Sequence, residues 1–548
     1  MSGARTGGAA VVEALVSEGV EVVFGIPGTH SLELYRALAS TSVRHVTARS
    51  EQGVGYAADG YARTTGRPGV CFVTSGPAVN NVAAPVGTAH ADSVPLLVVA
   101  PGPPRGLEGA DVGELHEMRD QRGHMAGVAE LSVRVDSAAE AAAVVHEAFA
   151  RWRTRRQRPV FLEVPLDVLT GAWDGEDSGP LEPAAAPSPS DADLSRAVRL
   201  LADAERPALL VGRGAVGAAD AVRELAELLG APVVTTVTGK GVLPEAHPLS
   251  VGASVRLAPA QELLAGSDAV LVVGTALSDA ELWGWQPDLP GSTIRIDLEA
   301  GQLTKHLSPA LALHGDAEGV ITQLLGSLRA GPRAAAASPA DGRARADRAR
   351  RACAVAAAPE AGAWAALSTT LAAAVPERTV VAGDSSQVVY YGAAHFWTAA
   401  APMQLLYPTI YATLGYGLPA AIGAKIGRPD LPVIALLGDG AAMFSVAELS
   451  TAVQERLVLP VVVVNDHGYT EIRDGMLRAG IPPTGVDLHT PDFAALGRAM
   501  GAAGVLVSSP EELVSAVLRA LDVDGPTVVE VDAAAFATAV ASAPPGGR

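Results

Sequence analysis

Residues 438 to 472, GDGAAMFSVAELSTAVQERLVLPVVVVNDHGYTEI, decide how this chain folds. One short apolar run, Val433 to Leu437, precedes them, and a second, Val461 to Val464, lies within them. Unalternated apolar runs of this length, bounded by glycine or polar residues, are typical of strands buried in a parallel sheet. Asp439 and Asn465 are therefore predicted at the carboxyl ends of two strands of one α/β unit.

The segment between the two strands is predicted to turn at GDG and then to form a helix. Ser445 and Glu448 have the spacing of a capping box, in which two side chains satisfy backbone N–H groups at a helix start. Apolar residues at helical spacing accompany them, at Val446, Leu449 and Val453. A helix N-terminus beside glycine binds phosphate groups through free N–H groups and its dipole.

The two strand ends also offer oxygen ligands for a metal ion. Asp439 supplies a carboxylate, Asn465 an amide oxygen and the nearby His467 a backbone carbonyl. Mg²⁺ prefers a few such oxygens in octahedral array and usually shares them with a phosphate group. A GDG sequence also occurs in ordinary αβ turns, so a diphosphate and Mg²⁺ site requires that the rest of a cofactor site is present.

Composition excludes several classes of protein. The chain has 548 residues, enough for about two to four domains. Its formal net charge of −19 argues against nucleic acid and anionic membranes as partners, since both are polyanions. Two cysteines provide no disulfide framework, and the sequence shows neither a signal-peptide pattern nor an apolar run of membrane length. We therefore expect a cytoplasmic protein.

Three α/β blocks are separated by two changes in composition. The first linker, Trp173 to Asp193, is rich in Pro, Ala, Ser and acids, and the second, about Arg329 to Glu360, is rich in Ala and Arg. Each block alternates helical segments with short apolar ones, the pattern of parallel βαβ units. We predict an α/β fold with three doubly wound parallel-sheet domains, which span residues 1–175, 190–330 and 355–540.

The first block places an acidic residue at a strand end. The predicted strand His45 to Ala48 leads to Glu51, and Gln52 to Thr65 form a predicted helix of small residues. Open α/β sheets bind ligands at the carboxyl edge of their strands, which makes Glu51 a candidate site residue. The alternative for Glu51 alone is an acid that only stabilises a helix N-terminus.

The middle block contains a glycine pattern that is similar to a dinucleotide fingerprint. Gly212, Gly214 and Gly217 match G-x-G-x-x-G after a predicted strand. The acid that should end the next strand is missing, because Glu224 and Glu227 fall inside a helical stretch. We therefore expect no NAD site. FAD is compatible with the strand ends of this block, but no residue requires it.

The remaining motifs connect all three blocks to one family. They are FGIPG at 24–28, EQGVGYAADGYAR at 51–63, TSGPAVNN at 74–81, DSVPLLVVA at 92–100 and GYGLPAAIGA at 415–424. Together with GDG and Asn465, they resemble the thiamine-diphosphate enzymes of the acetolactate synthase and 2-oxo acid decarboxylase superfamily. The resemblance implies a pyrimidine-binding domain, a central domain and a diphosphate-binding domain. It also implies a homodimer or homotetramer, with the cofactor between the first domain of one subunit and the third of its partner.

The resemblance assigns roles to individual residues. Glu51 takes the place of the glutamate that hydrogen-bonds N1′ of the aminopyrimidine ring, where it can share a proton with that nitrogen. Leu414 matches the residue that props the cofactor into its bent conformation, and the Ala412 carbonyl should accept from the 4′-amino group. The metal ligands match Asp439, Asn465 and the His467 carbonyl. Further expected cofactor contacts are Gly438, Gly440, Ala441, Gly468, Tyr469, Ser385, Ser386 and Gln387.

The same resemblance implies decarboxylation of a small-molecule 2-oxo acid but leaves the product open. Protonation after loss of CO₂ gives an aldehyde, whereas attack on a second 2-oxo acid gives an acetohydroxy acid, as in acetolactate synthases. Glu471 favours aldehyde release, since simple decarboxylases carry an acid at this position and acetolactate synthases an apolar residue. The alternative for Glu471 is an acid that only begins the next helix.

Four further residues are candidates on the substrate side. His116 lies near a loop that carries a His pair in pyruvate decarboxylases, although the register of that loop is not fixed; a surface histidine is the alternative. Thr29 and Thr74 take the positions of Ser and His in benzoylformate decarboxylase, so that proton relay is not reproduced. His30, beside Thr29, is a candidate substitute.

Acidic residues near these segments bear on the choice of substrate. They are Glu114, Glu117, Asp120, Glu471 and Asp474. The strings GTHSLELYRAL and LHEMRDQR resemble the 5-guanidino-2-oxopentanoate decarboxylase branch, and a guanidinium group needs planar carboxylate partners. The alternative is that these acids are solvated loop charges without a role in substrate binding.

A different class of function is also an alternative to an enzyme: a homologue that has lost catalysis and serves as a binding scaffold. The presence of Glu51, Asp439 and Asn465 opposes it.

Overall fold

Three six-stranded parallel sheets follow one another along residues 5–331 and 339–543, the residues that this computed structural model describes. The predicted α/β fold with three doubly wound parallel sheets is confirmed. Within the described residues, no helix combines the length and apolar character that crossing a membrane requires. The predicted domain boundaries stay predictions, and part of the second predicted linker, residues 332–338, lies outside the described residues.

The first sheet carries the segment that contains Glu51. Its strands are β1 (Val22–Gly25), β2 (Arg44–Thr47), β3 (Gly69–Phe72), β4 (Leu96–Gly102), β5 (Leu131–Arg134) and β6 (Val160–Pro165). Its helices are α1 (Gly7–Ser17), α2 (Leu32–Leu38), α3 (Glu51–Thr65), α4 (Pro77–Asp92), α5 (Gln121–Ala126), α6 (Ala138–Thr154) and α7 (Leu166–Thr170). The strand order is β2-β1-β3-β4-β6-β5. β3, β4 and β6 are buried along their whole length, which explains their continuous apolar sequences.

The second sheet contains the glycine pattern. Its strands are β7 (Pro207–Val211), β8 (Val233–Thr235), β9 (Ser250–Ala253), β10 (Ala269–Val273), β11 (Ile294–Asp297) and β12 (Leu311–His314), in the order β12-β11-β10-β7-β8-β9. Its helices are α8 (Asp191–Asp203), α9 (Ala219–Leu229), α10 (Ala258–Ala265), α11 (Asp279–Leu282) and α12 (Ala317–Ala330). Glu224 and Glu227 lie inside α9, not at a strand end.

The third sheet repeats the strand order of the first. Its strands are β13 (Val380–Gly383), β14 (Leu405–Leu406), β15 (Val433–Gly438), β16 (Leu459–Asn465), β17 (Ala503–Val507) and β18 (Pro526–Asp532), in the order β14-β13-β15-β16-β18-β17. Helix α13 (Pro339–Ala361) precedes it. Its own helices are α14 (Ala363–Ala374), α15 (Ala394–Phe396), α16 (Gly417–Gly427), α17 (Asp439–Ser445), α18 (Leu449–Gln454), α19 (Thr470–Arg478), α20 (Phe493–Ala499), α21 (Pro510–Ala520) and α22 (Ala533–Ser542).

The strand order identifies where ligands should bind in the first and third sheets. In the first sheet β2 and β3 lie on opposite sides of β1, and in the third sheet β14 and β15 lie on opposite sides of β13, so the strand order reverses between β1 and β3 and between β13 and β15. Doubly wound sheets open a crevice at this switch point, outside the carboxyl ends of the strands. Both crevices are therefore candidate halves of a functional site.

Helices α3 and α16 pack the first domain directly against the third. A Cβ at Gly60 would lie 2.1 Å from the Ala420 carbonyl oxygen, and one at Gly423 would lie 1.8 Å from that of Ala57. Only glycine permits such close approach of two helix backbones. The contact fixes the position of α3, and with it Glu51, relative to the third domain of the same chain.

The predicted capping box at Ser445 and Glu448 is wrong. Helix α17 already begins at Asp439, directly after β15, and Ser445 is its last residue. The Ser445 hydroxyl is buried without a hydrogen-bond partner in the described part of the chain. Glu448 instead turns towards the first domain, where its carboxylate accepts from the backbone N–H groups of Arg49 and Ser50. A contact between distant segments thus overrides the local pattern.

Candidate active site

Asp439 forms the centre of a buried polar cluster at the end of β15. Only 2% of the residue is exposed. Its Oδ1 accepts from the Gly440 N–H at 2.6 Å and its Oδ2 from the Gly468 N–H at 3.1 Å. Burial, together with the neighbouring Asp466, raises the pKa of Asp439 to about 6. A divalent cation at this carboxylate would offset the cost of its charge.

Asn465, at the end of β16, has its amide fixed from both sides. Its Nδ2 donates to Glu530 Oε1 at 2.8 Å, and its Oδ1 accepts from the Thr490 hydroxyl at 2.9 Å. His467 Nδ1 lies 2.6 Å from the same hydroxyl oxygen. The His467 carbonyl accepts from the Leu488 N–H at 3.0 Å and, with two lone pairs, keeps one free for a further contact.

This oxygen set fits Mg²⁺ better than the softer metals. Among residues 5–331 and 339–543, no group of three His, Cys, Asp or Glu side chains is arranged to hold a metal ion. The candidate ligands are instead one carboxylate, one amide oxygen and one backbone carbonyl. Mg²⁺ commonly takes such mixed oxygen ligands and completes its shell with phosphate oxygens and water.

A cavity of about 750 Å³ lies beside Asp439, at the switch point between β13 and β15. The predicted cofactor contacts that line it are Ser385, Ser386, Gln387, Ala412, Leu414, Gly438, Asp439, Gly440, Ala441, Gly468 and Tyr469. Asn465 and His467 are not among the lining residues. The Thr470 hydroxyl in its wall is buried and has no hydrogen-bond partner among the described residues. The cavity thus combines room for a ligand with an unpaired polar group.

A buried acid that the sequence analysis missed holds the loop that carries Leu414. Asp384 follows β13 and accepts from the backbone N–H groups of Gly415, at 3.1 Å, and Gly417, at 2.9 Å. Burial raises the pKa of Asp384 to about 6, and these hydrogen bonds oppose the shift. Ala412 in the same loop has a left-handed φ of 51°. The acid directly after the apolar run VVAG was the available signal for this residue.

Helix α19 places one carboxylate, that of Glu471, in the cavity wall, and Asp474 on the same helix is not among the lining residues. Glu471 lies in its first turn, as the alternative interpretation expected, and it also lines the cavity. The Gln387 amide donates to Glu471 at 3.0 Å and to Asp474 at 3.3 Å, and the Tyr391 hydroxyl donates to Glu471 at 3.4 Å. Arg478 also donates to Glu471, at 3.2 Å. Glu471 is therefore held against the cavity wall by groups from two segments.

Glu51 is the first residue of α3 and belongs to a second group of polar residues, which lies in the first domain. Ser50 caps the helix by accepting from the Gly53 N–H at 3.0 Å. Glu51 Oε2 accepts from the Asn81 Nδ2 at 2.9 Å. Asn81 ends the TSGPAVNN motif, and the sequence analysis gave it no role because its contact is 30 residues away along the chain.

The histidine candidates meet at the switch point between β1 and β3. His30 Nδ1 lies 2.7 Å from the Ser75 hydroxyl oxygen, and the rings of His30 and His116 are 5.3 Å apart. Burial lowers the pKa of His30, His116 adds to the effect, and Glu114 opposes it. Within the described residues, Thr74 Oγ1 and His116 Nδ1 are buried without hydrogen-bond partners.

Within one chain, the cavity beside Asp439 is not lined by the first-domain group that contains Glu51 and His30. All described residues that line the cavity of about 750 Å³ belong to the second and third domains. The predicted residues of the first domain that do not line it are Glu51, Thr29, His30, Thr74 and His116. Two of the first-domain acids have local partners: Glu117 accepts from the backbone of its own loop, and Asp120 caps α5.

A second cavity, of about 430 Å³, lies between the three domains. Gly214, Gly217 and Gly274 line it, together with the half-buried Arg213 and the buried Glu281. Burial lowers the pKa of Arg213 to about 10 and raises that of Glu281. These are the strand ends with which FAD is compatible, and no contact here requires it.

Comparison with known proteins identifies all three domains. The thiamine pyrophosphate enzyme N-terminal TPP binding domain matches residues 5–124, the central domain matches 194–324, and the C-terminal TPP binding domain matches 384–531. The match therefore covers most of the chain, in the domain order that the motifs predict.

Similar proteins of known description include a decarboxylase and several synthases. The probable 2-ketoarginine decarboxylase of Pseudomonas aeruginosa is 43% identical over 93% of this chain and 90% of its own length. The acetolactate synthase isozyme 1 large subunit of Escherichia coli is 32% identical over 84% of this chain and 82% of its own. The acetolactate synthase of Mycobacterium bovis is 31% identical, over 96% and 87%. Since three domain models and these relatives agree, the chain belongs to the thiamine pyrophosphate enzyme family.

Proposed function

We propose that this enzyme is a Mg²⁺-dependent decarboxylase that converts 2-ketoarginine (5-guanidino-2-oxopentanoate) to an aldehyde. The observation that carries the proposal is the pair of carboxylates on α19, Glu471 and Asp474, which share the Gln387 amide beside the cavity. The similarity to the probable 2-ketoarginine decarboxylase of Pseudomonas aeruginosa supports the substrate class.

The residues around Asp439 are suited to hold the diphosphate end of the cofactor. Asp439, Asn465 and the His467 carbonyl would bind Mg²⁺, and the first turn of α17 would face the phosphate groups. Leu414, held by Asp384, would pack against the middle of the cofactor. When bound, thiamine diphosphate supplies a carbon nucleophile and an electron sink for decarboxylation.

A second copy of the chain would complete the site. The cavity beside Asp439 has no lining from the first domain among the described residues, whereas Glu51, His30 and His116 lie at the first domain's own crevice. We propose that association of two subunits brings these two halves together. The proposal is therefore a homodimer or homotetramer in which Glu51 reaches the aminopyrimidine N1′ held by the other subunit.

Glu471 is the residue proposed to decide the product. A carboxyl group at the cavity wall can hold a proton for the substrate carbon that has lost CO₂, and its delivery gives an aldehyde. Gln387 and Tyr391 fix the orientation of this carboxyl group. The apolar residue at this position in acetolactate synthases would have no proton to give.

Charge and aromatic surface suit a guanidinium side chain. The Arg478 guanidinium donates to Glu471 at 3.2 Å, which shows that this carboxylate can pair with such a group, and a substrate guanidinium would have to replace or share that contact. Trp283, Tyr390 and Tyr391 line the same cavity. The Arg256 guanidinium lies over the Trp283 and Tyr391 rings, at 4.5 and 5.7 Å, as expected of aromatic faces that attract planar cations.

Product analysis with thiamine diphosphate and Mg²⁺ tests the proposal, with 2-ketoarginine and pyruvate offered separately. We expect CO₂ and 4-guanidinobutanal from 2-ketoarginine. Acetolactate from pyruvate, with no turnover of 2-ketoarginine, would instead establish the second candidate, an acetolactate-synthase-like carboligase. The relatives at 31% and 32% identity favour that candidate.

Recognition of the positive charge of the substrate should depend on Asp474. Asp474→Asn removes a carboxylate from α19 while it keeps the shape of the side chain. We expect KM for 2-ketoarginine to rise by about 10-fold or more, because hydrogen bonds to charged groups contribute about 1.5–3 kcal/mol. The kcat should change little, and steady-state kinetics of CO₂ release measures both constants.

Asp487→Asn is the matched control for this substitution. The Asp487 side chain is 80% exposed and pairs at 2.9 Å with Arg473, which lies on α19 beside Asp474. Loss of the Asp487 carboxylate should leave KM for 2-ketoarginine unchanged. If Asp474→Asn raised KM equally for 2-ketoarginine and for 2-oxohexanoate, whose side chain carries no charge, recognition of the cation by this acid would be refuted.

A further inference from the structure

Glu448 connects the third domain to the start of the helix that carries Glu51. It is 1% exposed and ends a short 3₁₀ turn, Val446–Glu448. Its Oε1 accepts from the backbone N–H groups of Arg49, at 3.0 Å, and Ser50, at 2.9 Å. The Ser50 hydroxyl also donates to Oε1, at 3.2 Å. Thr451 donates to Oε2, at 2.8 Å.

These contacts hold the first turn of α3 from outside the helix. Ser50 donates to Glu448 and accepts from the Gly53 N–H, so one chain of hydrogen bonds runs from the third domain into the turn that contains Glu51. A carboxylate at a helix N-terminus is also stabilised by the helix dipole. Burial raises the pKa of Glu448, and its hydrogen bonds oppose that shift.

The Glu448 carboxylate packs directly against Gly53. A Cβ at residue 53 would lie 2.1 Å from Glu448 Oε1 and 2.4 Å from its Cδ. Any larger side chain at this position would therefore push the carboxylate away from Ser50. Only glycine leaves the room that the contact needs.

Two further contacts to the first domain come from the last residue of α18 and the residue after it. Gln454 accepts from the Arg49 guanidinium at 2.7 Å, and Glu455 pairs with Arg44 at 2.6 Å. The Arg44 side chain is 48% exposed, so this outer pair lies at the rim of the interface. The buried contact of Glu448 is the one that reaches the helix start.

We propose that Glu448 is a positioning residue for Glu51: it holds the first turn of α3 so that the Glu51 carboxylate meets the cofactor in the reacting geometry. The proposal rests on the proposed function, in which Glu51 exchanges a proton with the cofactor. Misplacement of a reacting group by about 1 Å can cost about 100-fold in rate, even when the cause lies outside the reacting groups.

The test uses the full-length holoenzyme and the variants Glu448→Ala, Gly53→Ala and the double variant. The main readout is the rate of hydrogen–deuterium exchange at C2 of bound thiamine diphosphate, which requires no 2-oxo acid. We expect each single variant to slow this exchange by about 10-fold or more, while the Kd for thiamine diphosphate changes by less than about threefold. In the cofactor-free protein, backbone amides of residues 47–56 should exchange faster.

A double-mutant cycle separates this contact from general destabilisation. Glu448→Ala removes the group that a Cβ at residue 53 would strike, so the double variant should be no slower than Glu448→Ala alone. Glu448→Gln, which keeps one acceptor, should recover part of the rate. Glu455→Gln removes only the outer ion pair and should match the wild type.

Two results would overturn the proposal. In the first, the variants melt at lower temperature but exchange C2 at the wild-type rate, which would leave Glu448 a structural role only. In the second, C2 exchange falls together with a large loss of cofactor affinity. Absence of 2-oxo acid turnover in the wild type would count against the proposed function alone, because neither C2 exchange nor amide exchange uses that substrate.

Discussion

Glu51→Gln should lower kcat by about 10²–10⁴-fold, the usual contribution of a positioned acid or base. The substitution keeps the size of the side chain and its contact with Asn81, but it removes the exchangeable proton of the carboxyl group. Because the proposed metal and diphosphate ligands lie in the third domain, cofactor affinity should stay within about threefold. Steady-state kinetics and isothermal titration with thiamine diphosphate measure the two effects.

Glu33→Gln provides the matched control for Glu51→Gln. Glu33 lies on α2 of the same domain and pairs with Arg36 at 3.1 Å, away from the Glu51 contacts. It should retain wild-type turnover. Full turnover of Glu51→Gln would show that the catalytic assignment is wrong, even if the family assignment stands.

Much of the fold follows from local signals in the sequence. The apolar runs at Val433 to Leu437 and Ala269 to Val273 coincide with β15 and β10, because strands buried on both faces need continuous apolar sequence. Asp439 and Asn465 lie at the strand ends where they were expected, since the carboxyl end of a strand is set by where its apolar run stops. Local pattern therefore predicts the half of the candidate site that contains Asp439 and Asn465.

The residues that support the site could not be found in the same way. Glu448 has the local spacing of a capping partner, but its carboxylate instead accepts from the backbone N–H groups of Arg49 and Ser50. Asp384 holds a loop 31 residues away, and Asn81 contacts Glu51 at a similar separation. Contacts of this range depend on how helices pack, which periodicity along one segment does not encode.

Asp439→Asn should abolish Mg²⁺-dependent binding of thiamine diphosphate, with an affinity loss of at least about 100-fold. Loss of a residue that only supports a metal ligand costs about 10–100-fold, and Asp439 is proposed as a ligand itself. The cofactor-free variant should be at least as stable as the wild type, because the substitution removes one of two neighbouring carboxylates, the other being Asp466. Titration calorimetry with and without Mg²⁺ measures the affinity.

Thermal unfolding separates loss of the site from loss of the fold. Thiamine diphosphate with Mg²⁺ should raise the Tm of the wild type, since a ligand that binds only the folded state stabilises it, and should leave the Tm of Asp439→Asn unchanged. Asp430→Asn is the control: this acid pairs with Arg428 at 2.7 Å, its side chain is 59% exposed, and its loss should preserve the cofactor-induced shift. A normal shift in Asp439→Asn would place the metal elsewhere, and the carboxylate would then serve only to hold the N–H groups of Gly440 and Gly468.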